Sequence, residues 1–162
     1  MDSSLNKVSE SLHNIAMTLR PASLDHLGLV PALRQHVELV EDKYGLKARF
    51  RTKGVLKRLP SNMETNLYRI VQETLTNVVR HAHATQVDVV LTVREGKLIV
   101  LIEDDGIGFN PEEVPTDSHL GLLGIRERVD MIDGNLMIES VPEEGTTIMV
   151  EVNYDNPIVD RG

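Results

Sequence analysis

The segment IEDDGIGFNP, residues 102–111, ends a run of apolar strand formers with two adjacent carboxylates, Asp104 and Asp105. Gly106 and Gly108 follow at a spacing of two, which permits positive φ angles and a close approach of a ligand to the backbone. A carboxylate at the end of a hydrophobic strand is expected to be partly buried, and it can accept a hydrogen bond from an exocyclic amine such as that of adenine. On its own, the segment is also typical of an ordinary Asp-Gly turn.

The segments on both sides of residues 102–111 predict a chain with both helices and strands. Alternating apolar residues indicate strands, and a helical period indicates helices. The strands are predicted over 46–52, 86–94, 97–103, 135–141 and 146–152, and the helices over 4–20, 29–44, 62–82 and 121–133, with a loop over 105–120. Because helices and hairpins do not alternate as βαβ units, we expect an α+β sandwich with a helical layer on one face of a mixed sheet.

Two signals predict where helices begin. Ser61, with Glu64 three residues later, has the pattern of a capping box at the start of the helix over 62–82. Gly121 and Gly124 stand at the start of the helix over 121–133. A glycine-rich helix N-terminus offers free N–H groups to phosphates, although glycines are also common at ordinary loop–helix junctions.

The composition limits the classes of function. The 162 residues are 41% hydrophobic and 26% charged, which is enough for one folded domain with a core. A net charge of −8 and an aromatic content of 3%, without Trp, argue against nucleic acid or an anionic membrane as a partner. The absence of cysteine excludes disulfides, thiolate metal sites and cysteine nucleophiles. The sequence starts without a signal-peptide pattern, so we expect a cytoplasmic location.

The predicted helix over 62–82 carries an unusual polar face. This face holds a carboxylate, an amide, a guanidinium and an imidazole, which belong to Glu73, Asn77, Arg80 and His81. Such a set can act as base, metal ligand and phosphate contact. Asn is a mediocre helix former, so Asn77 in the middle of a helix favours a functional explanation. The plain alternative is a solvated face opposite a buried one.

Four motifs in this order resemble the nucleotide-binding boxes of the histidine-kinase ATPase domain. They are ETLTNVVRHA (73–82), DDGIGF (104–109), GLLGIRERV (121–129) and GTTIMV (145–150). The resemblance implies the Bergerat fold, a two-layer sandwich shared with gyrase-type, heat-shock-chaperone and mismatch-repair ATPases. Upstream, LRPASLDHLGLVPALRQHVE (19–38) looks like the X-region of one subfamily, whose partners are response regulators with a helix-turn-helix output.

The resemblance implies roles for residues of the first motif, with ATP and Mg²⁺ as ligands. Asn77 matches the asparagine that holds Mg²⁺ between the phosphates, and Glu73 matches the acid that activates the accepting imidazole. Arg80 matches the basic position that contacts phosphate, and His81 lies beside it.

The other motifs match the surroundings of the base and the lid. Asp104 matches the aspartate that binds the adenine amino group, with Gly106 and Gly108 in the turn under the base. Thr146 matches the threonine next to adenine. The residues that match the lid helix near the phosphates are Gly121, Leu122 and Gly124.

The phosphoaccepting histidine that the resemblance leads us to expect before the X-region is missing. His13 lies only six residues before Leu19 and is followed by Asn14 in place of an acid, which argues against His13 as the acceptor. We therefore expect a catalytic fragment that donates the γ-phosphoryl group to a histidine on a dimerisation domain absent from this chain. Its expected parts are the end of a dimerisation helix over 1–24, the ATP-binding domain over 25–153 and a polar tail over 154–162.

Two alternatives stay open from the sequence. An anti-sigma-factor serine kinase would share the nucleotide boxes, but it is not expected to carry the segment 19–38. A non-catalytic docking module would need none of the chemistry, and the joint presence of Glu73, Asn77 and Asp104 argues against it.

Overall fold

The computed structural model describes residues 21–113 and 116–154. Its helices are α1 (Ala22–Leu27), α2 (Leu29–Tyr44), α3 (Ser61–Asn77) and α4 (Thr116–Met131), and its strands are β1 (Lys47–Lys53), β2 (Gln86–Arg94), β3 (Lys97–Asp104), β4 (Asn135–Val141) and β5 (Gly145–Asn153). A π-helical turn, Val78–Ala82, prolongs α3, and a 3₁₀ turn covers Pro111–Glu113. Over these two ranges, no helix is both long and apolar enough to cross a lipid bilayer. The predicted helix over 4–20, His13 and residues 155–162 of the predicted tail lie outside the described residues.

The described strands form one mixed sheet in the order β1-β2-β3-β5-β4. Strands β1 and β2 are parallel, as expected for two strands joined through a helix, here α3. The other pairs are antiparallel, and β2–β3 and β4–β5 are hairpins. The first hairpin turns at Glu95 and Gly96, which both have positive φ. The architecture confirms the predicted α+β sandwich with a mixed sheet.

The core lies between the sheet and the helices on one of its faces. In β3, alternate residues Leu98, Val100 and Ile102 are buried, whereas Glu103 is exposed. Burying a side chain of this size stabilises the fold by roughly 1.5–3 kcal/mol, so this alternation fixes the register of β3. Asp104 follows the buried set at a spacing of two, and it therefore faces the helical side.

Helix α1 was not predicted, and a hydrogen bond from Arg58, which is itself ion-paired with Glu64, connects it to the start of α3. The Arg58 guanidinium donates to both carboxylate oxygens of Glu64 at 3.0 Å and to the carbonyl of Asp25 at 3.3 Å. Leu24 of the same helix is fully buried. The helix spans the predicted boundary between residues 24 and 25, and that boundary stays a prediction.

The predicted capping box at the start of α3 is wrong. Pro60 occupies the N-cap position, and Ser61 is the first helical residue. The carboxylate of Glu64 accepts the backbone N–H of Leu59 at 3.3 Å and pairs with Arg58. The guanidinium of Arg58 donates two charge-assisted bonds to this carboxylate, and such two-point pairs are among the strong hydrogen bonds, which explains why the carboxylate turns towards Arg58.

Helix α4 begins at Thr116, five residues before the predicted start at residue 121. Gly121 is therefore the sixth residue of the helix and Gly124 the ninth. A glycine inside a helix costs only about 1 kcal/mol relative to Ala, so Gly121 does not mark a helix end. The four free N–H groups of a helix belong to its first turn, so Gly121 and Gly124 do not form the helix N-terminus that the sequence predicted. Their place near the phosphates stays a prediction.

Candidate functional site

A cavity of about 260 Å³ opens at the end of the sheet, beside the last residue of β3. Small-molecule sites usually enclose about 300–1,000 Å³, so this volume suits a ligand part the size of a nucleoside. The residues of its lining that the sequence predicted are Asn77, His81, Asp104, Gly108, Leu122 and Thr146. The lining residues that the sequence reading missed are Thr74, Val78, Ala82, Ile107, Phe109 and Ile148.

Asp104 is the buried carboxylate of this cavity. The residue is 8% exposed, and its Oδ1 accepts the backbone N–H of Gly106 at 2.8 Å. Burial raises the pKa of the Asp104 carboxyl, and the backbone amides of Gly106 and Thr146 oppose that rise. The nearby carboxylates of Asp105 and Glu103 raise the pKa further. An ionised carboxylate has about four acceptor positions, so Asp104 can still accept a hydrogen bond from a ligand amine.

Asp105, the second carboxylate of the pair, ties the end of β3 to the start of β2. Its Oδ1 accepts the backbone N–H groups of Thr85 at 2.8 Å and Gln86 at 2.9 Å. Its Oδ2 accepts the hydroxyl of Thr85 at 2.5 Å. This hydroxyl is the main reason why the pKa of the exposed Asp105 carboxyl is lowered. The two adjacent carboxylates therefore have different roles: Asp104 borders the cavity, and Asp105 holds the strand that presents it.

The turn after β3 is clamped between two other parts of the chain. A Cβ on Gly106 would collide with the carbonyl oxygen of Ala82, which also accepts the N–H of Ile107 at 2.7 Å. Gly108 has a φ of +61°, and a Cβ there would collide with the carbonyl oxygen of Val141. The neighbouring backbone therefore leaves no room for a side chain at either position, and Gly108 alone of the two has the positive φ that the sequence permitted. The close approach of a ligand to this turn stays a prediction.

The helical wall of the cavity carries two of the four predicted polar residues. Asn77 is the last residue of α3 and His81 lies in the π-helical turn, and both line the cavity. Glu73 is half-buried and Arg80 is exposed, and neither lines the cavity. The lining stripe begins at Thr74, with Asn77 three and His81 seven residues later. This helical spacing can be read from the sequence, but the predicted polar face began at Glu73, one residue before the face that lines the cavity.

Helix α4 borders the cavity next to Asn77. A Cβ on Gly121 would lie 3.0 Å from Oδ1 of Asn77, so glycine allows the two helices to approach closely at this point. Leu122 lines the cavity. Gly124 has open space around the position of a Cβ, so its surroundings give no steric reason for glycine.

A cross-strand row of polar side chains continues from Asp104. Thr146 pairs with Asp104 in the register of β3 and β5, and Ser140 pairs with Thr146 in the register of β4 and β5. Ser140 is 8% exposed, and its Oγ lies 2.8 Å from Oγ1 of Thr146. The sequence reading missed Ser140. The one indication in the sequence was a hydroxyl two residues after Ile138, a position that strand alternation places on the helical side of the sheet.

The other large cavity at this end of the sheet, of about 360 Å³, is too acidic for a polyphosphate. Its lining includes the carboxylates of Asp88, Glu103, Asp104, Asp105, Glu139 and Glu144. A lining of one sign of charge repels a ligand of the same sign, so a nucleotide triphosphate would not bind there without several cations. Within the described residues, no group of three or more His, Asp or Glu side chains is arranged to hold a metal ion.

The sequence pattern of a known family, described as "Histidine kinase-, DNA gyrase B-, and HSP90-like ATPase", matches residues 62–156. This range holds most of α3, the turn after β3, α4 and the hairpin of β4 and β5, which together form the walls of the cavity. The chain belongs to this ATPase family. Membership implies that the domain binds ATP.

Two relatives of the ATPase domain are histidine kinases. The oxygen sensor histidine kinase NreB of Staphylococcus carnosus (strain TM300) is 34% identical over 156 residues, which are 96% of this chain and 44% of the relative. The signal transduction histidine-protein kinase/phosphatase DegS of Brevibacillus brevis is 38% identical over 141 residues, 87% of this chain and 36% of the relative. The chain thus spans less than half the length of either relative. The similarity to these two kinases agrees with the resemblance that the sequence motifs carry.

Solved structures of histidine kinases share the fold. The blue-light activated histidine kinase EL346 of Erythrobacter litoralis superposes with a TM-score of 0.73 at 19% identity, over 97% of this chain and 51% of that one. AdeS of Acinetobacter baumannii superposes with a TM-score of 0.67 at 15% identity, over 96% of this chain and 84% of that one. At these identities the similarity shows the fold alone.

Proposed function

We propose that the domain binds ATP in the cavity beside Asp104 and, in the whole protein, donates the γ-phosphoryl group to a histidine of a dimerisation domain. One observation carries the proposal: a single cavity combines the buried carboxylate of Asp104 with the amide of Asn77 and the imidazole of His81. A buried acceptor suits the exocyclic amine of a base. An amide and an imidazole suit a phosphate chain and its counter-cation.

The proposed base site is the part of the cavity around Asp104 and Thr146. The carboxylate of Asp104 accepts a hydrogen bond from the adenine amine, and Thr146 lies next to the base. Apolar side chains complete this part of the lining and exclude water from the ring faces. They belong to Val78, Ile107 and Ile148. The glycines of the turn, Gly106 and Gly108, bring the backbone close to the base.

The proposed phosphate site is the part of the cavity around Asn77 and His81. A chain with a net charge of −8 needs local positive charge to hold a triphosphate. Mg²⁺ bound there would neutralise the phosphate charge, and it commonly takes few protein ligands together with phosphates and waters. The amide oxygen of Asn77 is the proposed protein ligand. Arg80 and His81 are the proposed phosphate contacts, and Gly121, Leu122 and Gly124 belong to the lid.

The proposed transfer uses positioning and proton removal more than covalent help from the domain. The bond between the γ-phosphorus and the bridging oxygen breaks, a bond from phosphorus to an imidazole nitrogen forms, and ADP leaves. The imidazole loses its proton to a base. Glu73 lies four residues before Asn77, about one helical turn away, and outside the cavity lining. That position suits a group that meets an incoming histidine instead of the bound nucleotide.

The proposed partners follow from this reaction. The dimerisation domain of the same kinase supplies the histidine, and a response regulator receives the phosphoryl group from it. The segment 19–38 supports membership of the subfamily whose regulators carry a helix-turn-helix output. The reaction uses cytoplasmic ATP, so we propose that the domain works in the cytoplasm.

Phosphotransfer to a separate dimerisation domain tests the proposal. The chain, γ-labelled ATP and Mg²⁺ are incubated with the isolated dimerisation domain of the same kinase, and acid-labile, base-stable label is measured. We expect transfer by the wild-type chain and its loss in Asn77→Ala. Asn135→Ala is the matched control, because Asn135 is exposed at the start of β4 and away from the cavity. ATP binding without transfer would support the docking module instead, and no ATP binding would refute the assigned cavity.

A further inference from the structure

Ser140 lies behind the base site without touching it. On the helical side of the sheet, one cross-strand row runs from Asp104 in β3 through Thr146 in β5 to Ser140 in β4. Asp104 and Thr146 line the 260 Å³ cavity, and Ser140 does not. Any effect of Ser140 on a ligand in this cavity must therefore act through Thr146 or through the turn after β3.

The hydroxyl of Ser140 has three polar neighbours. The backbone N–H of Phe109 donates to its Oγ at 2.9 Å. The carbonyl oxygen of Gly145 lies 3.2 Å away and can only accept. Oγ1 of Thr146 lies 2.8 Å away, and either hydroxyl could be the donor of that bond.

A hydroxyl has one proton to donate and two lone pairs to accept with. All three contacts of Ser140 are satisfied only if its proton goes to Gly145 and its lone pairs accept from Phe109 and Thr146. Ser140 is nearly buried, and leaving one of these groups without a partner is unfavourable. This arrangement turns the proton of Thr146 towards Ser140. The oxygen of Thr146 then presents only lone pairs to the cavity.

We propose that Ser140 is a specificity-determining positioning residue, which holds Thr146 as a hydrogen-bond acceptor beside the acceptor Asp104. The inference rests on the proposed function of the cavity as a nucleotide site. Two adjacent acceptors match an amine, which has two protons. They repel a carbonyl oxygen at the same place. A purine with an amine at position six is therefore favoured over one with a carbonyl there, and part of that preference comes from a residue outside the lining.

The same hydroxyl also connects the base site to the turn. Phe109 lines the cavity and is held to β4 through its backbone N–H, which donates to Ser140. The orientation of Thr146 and the position of Phe109 thus depend on one side chain. Loss of the bond to Phe109 should weaken the binding of both nucleotides alike, because that bond does not involve the group at position six of the base. The ratio of the two affinities therefore reports on Thr146.

Comparison of ATP with inosine triphosphate tests the inference, because hypoxanthine carries a carbonyl where adenine carries its amine. Calorimetric titration gives the ratio of the two affinities for the wild-type chain, Ser140→Ala and Ser140→Thr. In Ser140→Ala the hydroxyl of Thr146 is free to donate to the carbonyl, and we expect the preference for ATP to fall about fivefold, the worth of one neutral hydrogen bond. Ser140→Thr keeps the hydroxyl and should restore the ratio. Ser23→Ala, a loss of a hydroxyl in α1, should leave it unchanged.

A double-mutant cycle shows whether Ser140 acts through Thr146. Thr146→Val removes the hydroxyl but keeps the shape, so adding Ser140→Ala should not change the ratio further. The ratio of the two affinities is insensitive to a general loss of stability, because such a loss weakens the binding of both nucleotides equally. If Ser140→Ala does not fold, Ser140→Cys serves the same purpose, because a thiol is similar in shape but a weak acceptor.

The outcomes separate this inference from the proposed function. A wild-type chain that binds neither nucleotide would refute the proposed function and the role of Ser140 with it. A wild-type chain that prefers ATP, with variants that keep the full preference, would refute the role of Ser140 alone. A fall of the ratio that persists in the Thr146→Val background would also refute it, since the effect would not pass through Thr146.

Discussion

Replacement of Asp104 by asparagine should separate ATP affinity from folding stability. Asparagine has almost the same shape, but only one of its two terminal atoms is an acceptor. In the wild type, the backbone amides of Gly106 and Thr146 already donate to the carboxylate. A ligand amine is a third donor, and the two lone pairs of one amide oxygen cannot serve all three. The affinity for ATP should therefore fall in Asp104→Asn.

The size of the loss follows from the kind of bond removed. A hydrogen bond to a charged group contributes about 1.5–3 kcal/mol, which corresponds to about a 10- to 150-fold weaker binding of ATP. Folding stability should respond differently. Burial raises the pKa of Asp104, which means that the folded protein disfavours the charged form. Removing the charge relieves that cost and offsets the weaker backbone bonds, so the free energy of unfolding should stay within about 1 kcal/mol of the wild type.

Calorimetric titration of ATP with Mg²⁺, and urea unfolding at neutral pH, measure the two quantities. Asp105→Asn is the matched control, because it makes the same chemical change one residue later. It removes the bonds to Thr85 and Gln86 and should lower the free energy of unfolding, while ATP affinity is largely kept. A folded Asp104→Asn chain that binds ATP as tightly as the wild type would refute the assignment of Asp104 as the base-reading group.

Three further predictions concern pH and the glycines of α4. The ATP affinity of the wild type should fall on acidification, because protonation of Asp104 removes a hydrogen-bond acceptor. The fall should start at a higher pH than an ordinary aspartate would give, because burial raises the pKa of Asp104. Calorimetric titrations at stepwise pH should show that this fall is missing in Asp104→Asn. The pKa of Asp105 is lowered in the folded state. The carboxylate of Asp105 therefore stabilises the fold above its unfolded-state pKa, and this stabilisation is lost as the pH falls through its folded-state pKa. Urea unfolding curves of the wild type and Asp105→Asn should differ at neutral pH and converge in acid. Gly124→Ala should raise the free energy of unfolding by up to about 1 kcal/mol through helix propensity. Gly121→Ala should gain less or lose stability in the same urea titrations, because its Cβ would lie 3.0 Å from Oδ1 of Asn77; equal gains would contradict the close contact.

Much of the fold could be predicted because local patterns agree with it. Alternation of apolar residues predicted the strands to within one residue. The two residues left between the predicted strands 86–94 and 97–103 form the turn that joins β2 to β3. The predicted start of α4 was wrong because the prediction placed Gly121 and Gly124 at the beginning of the helix. Inside the helix, Gly121 allows α4 to pack closely against α3. The low helix propensity of glycine is a weak preference, and a tertiary contact such as that of Gly121 with Asn77 can override it.

The candidate site was predictable only in part, because several of its members meet through long-range pairing. Asp104 and Gly108 stand close together in the sequence, and both line the cavity. Ser140 becomes part of the site through the pairing of β4 with β5 and of β5 with β3. That strand order places β5 between β3 and β4, and alternation within single strands carries no information about it. Glu73 and Arg80 lie beside the cavity, so their roles depend on a partner or a ligand.

The two aspartates show how strand register determines chemistry at this site. Side chains alternate across a strand, so Asp104 faces the helical side of the sheet and Glu103 the other side. Asp105 lies just after the end of β3 and bonds to Thr85 and Gln86. A slip of β3 by one residue that brought Asp105 to the cavity would move Asp104 to the place of Glu103, which is exposed on the other face of the sheet. The slip is opposed by the burial of Leu98, Val100 and Ile102, each worth roughly 1.5–3 kcal/mol. The hydrophobic pattern of β3 therefore determines that the carboxylate of Asp104 faces the cavity before any ligand binds.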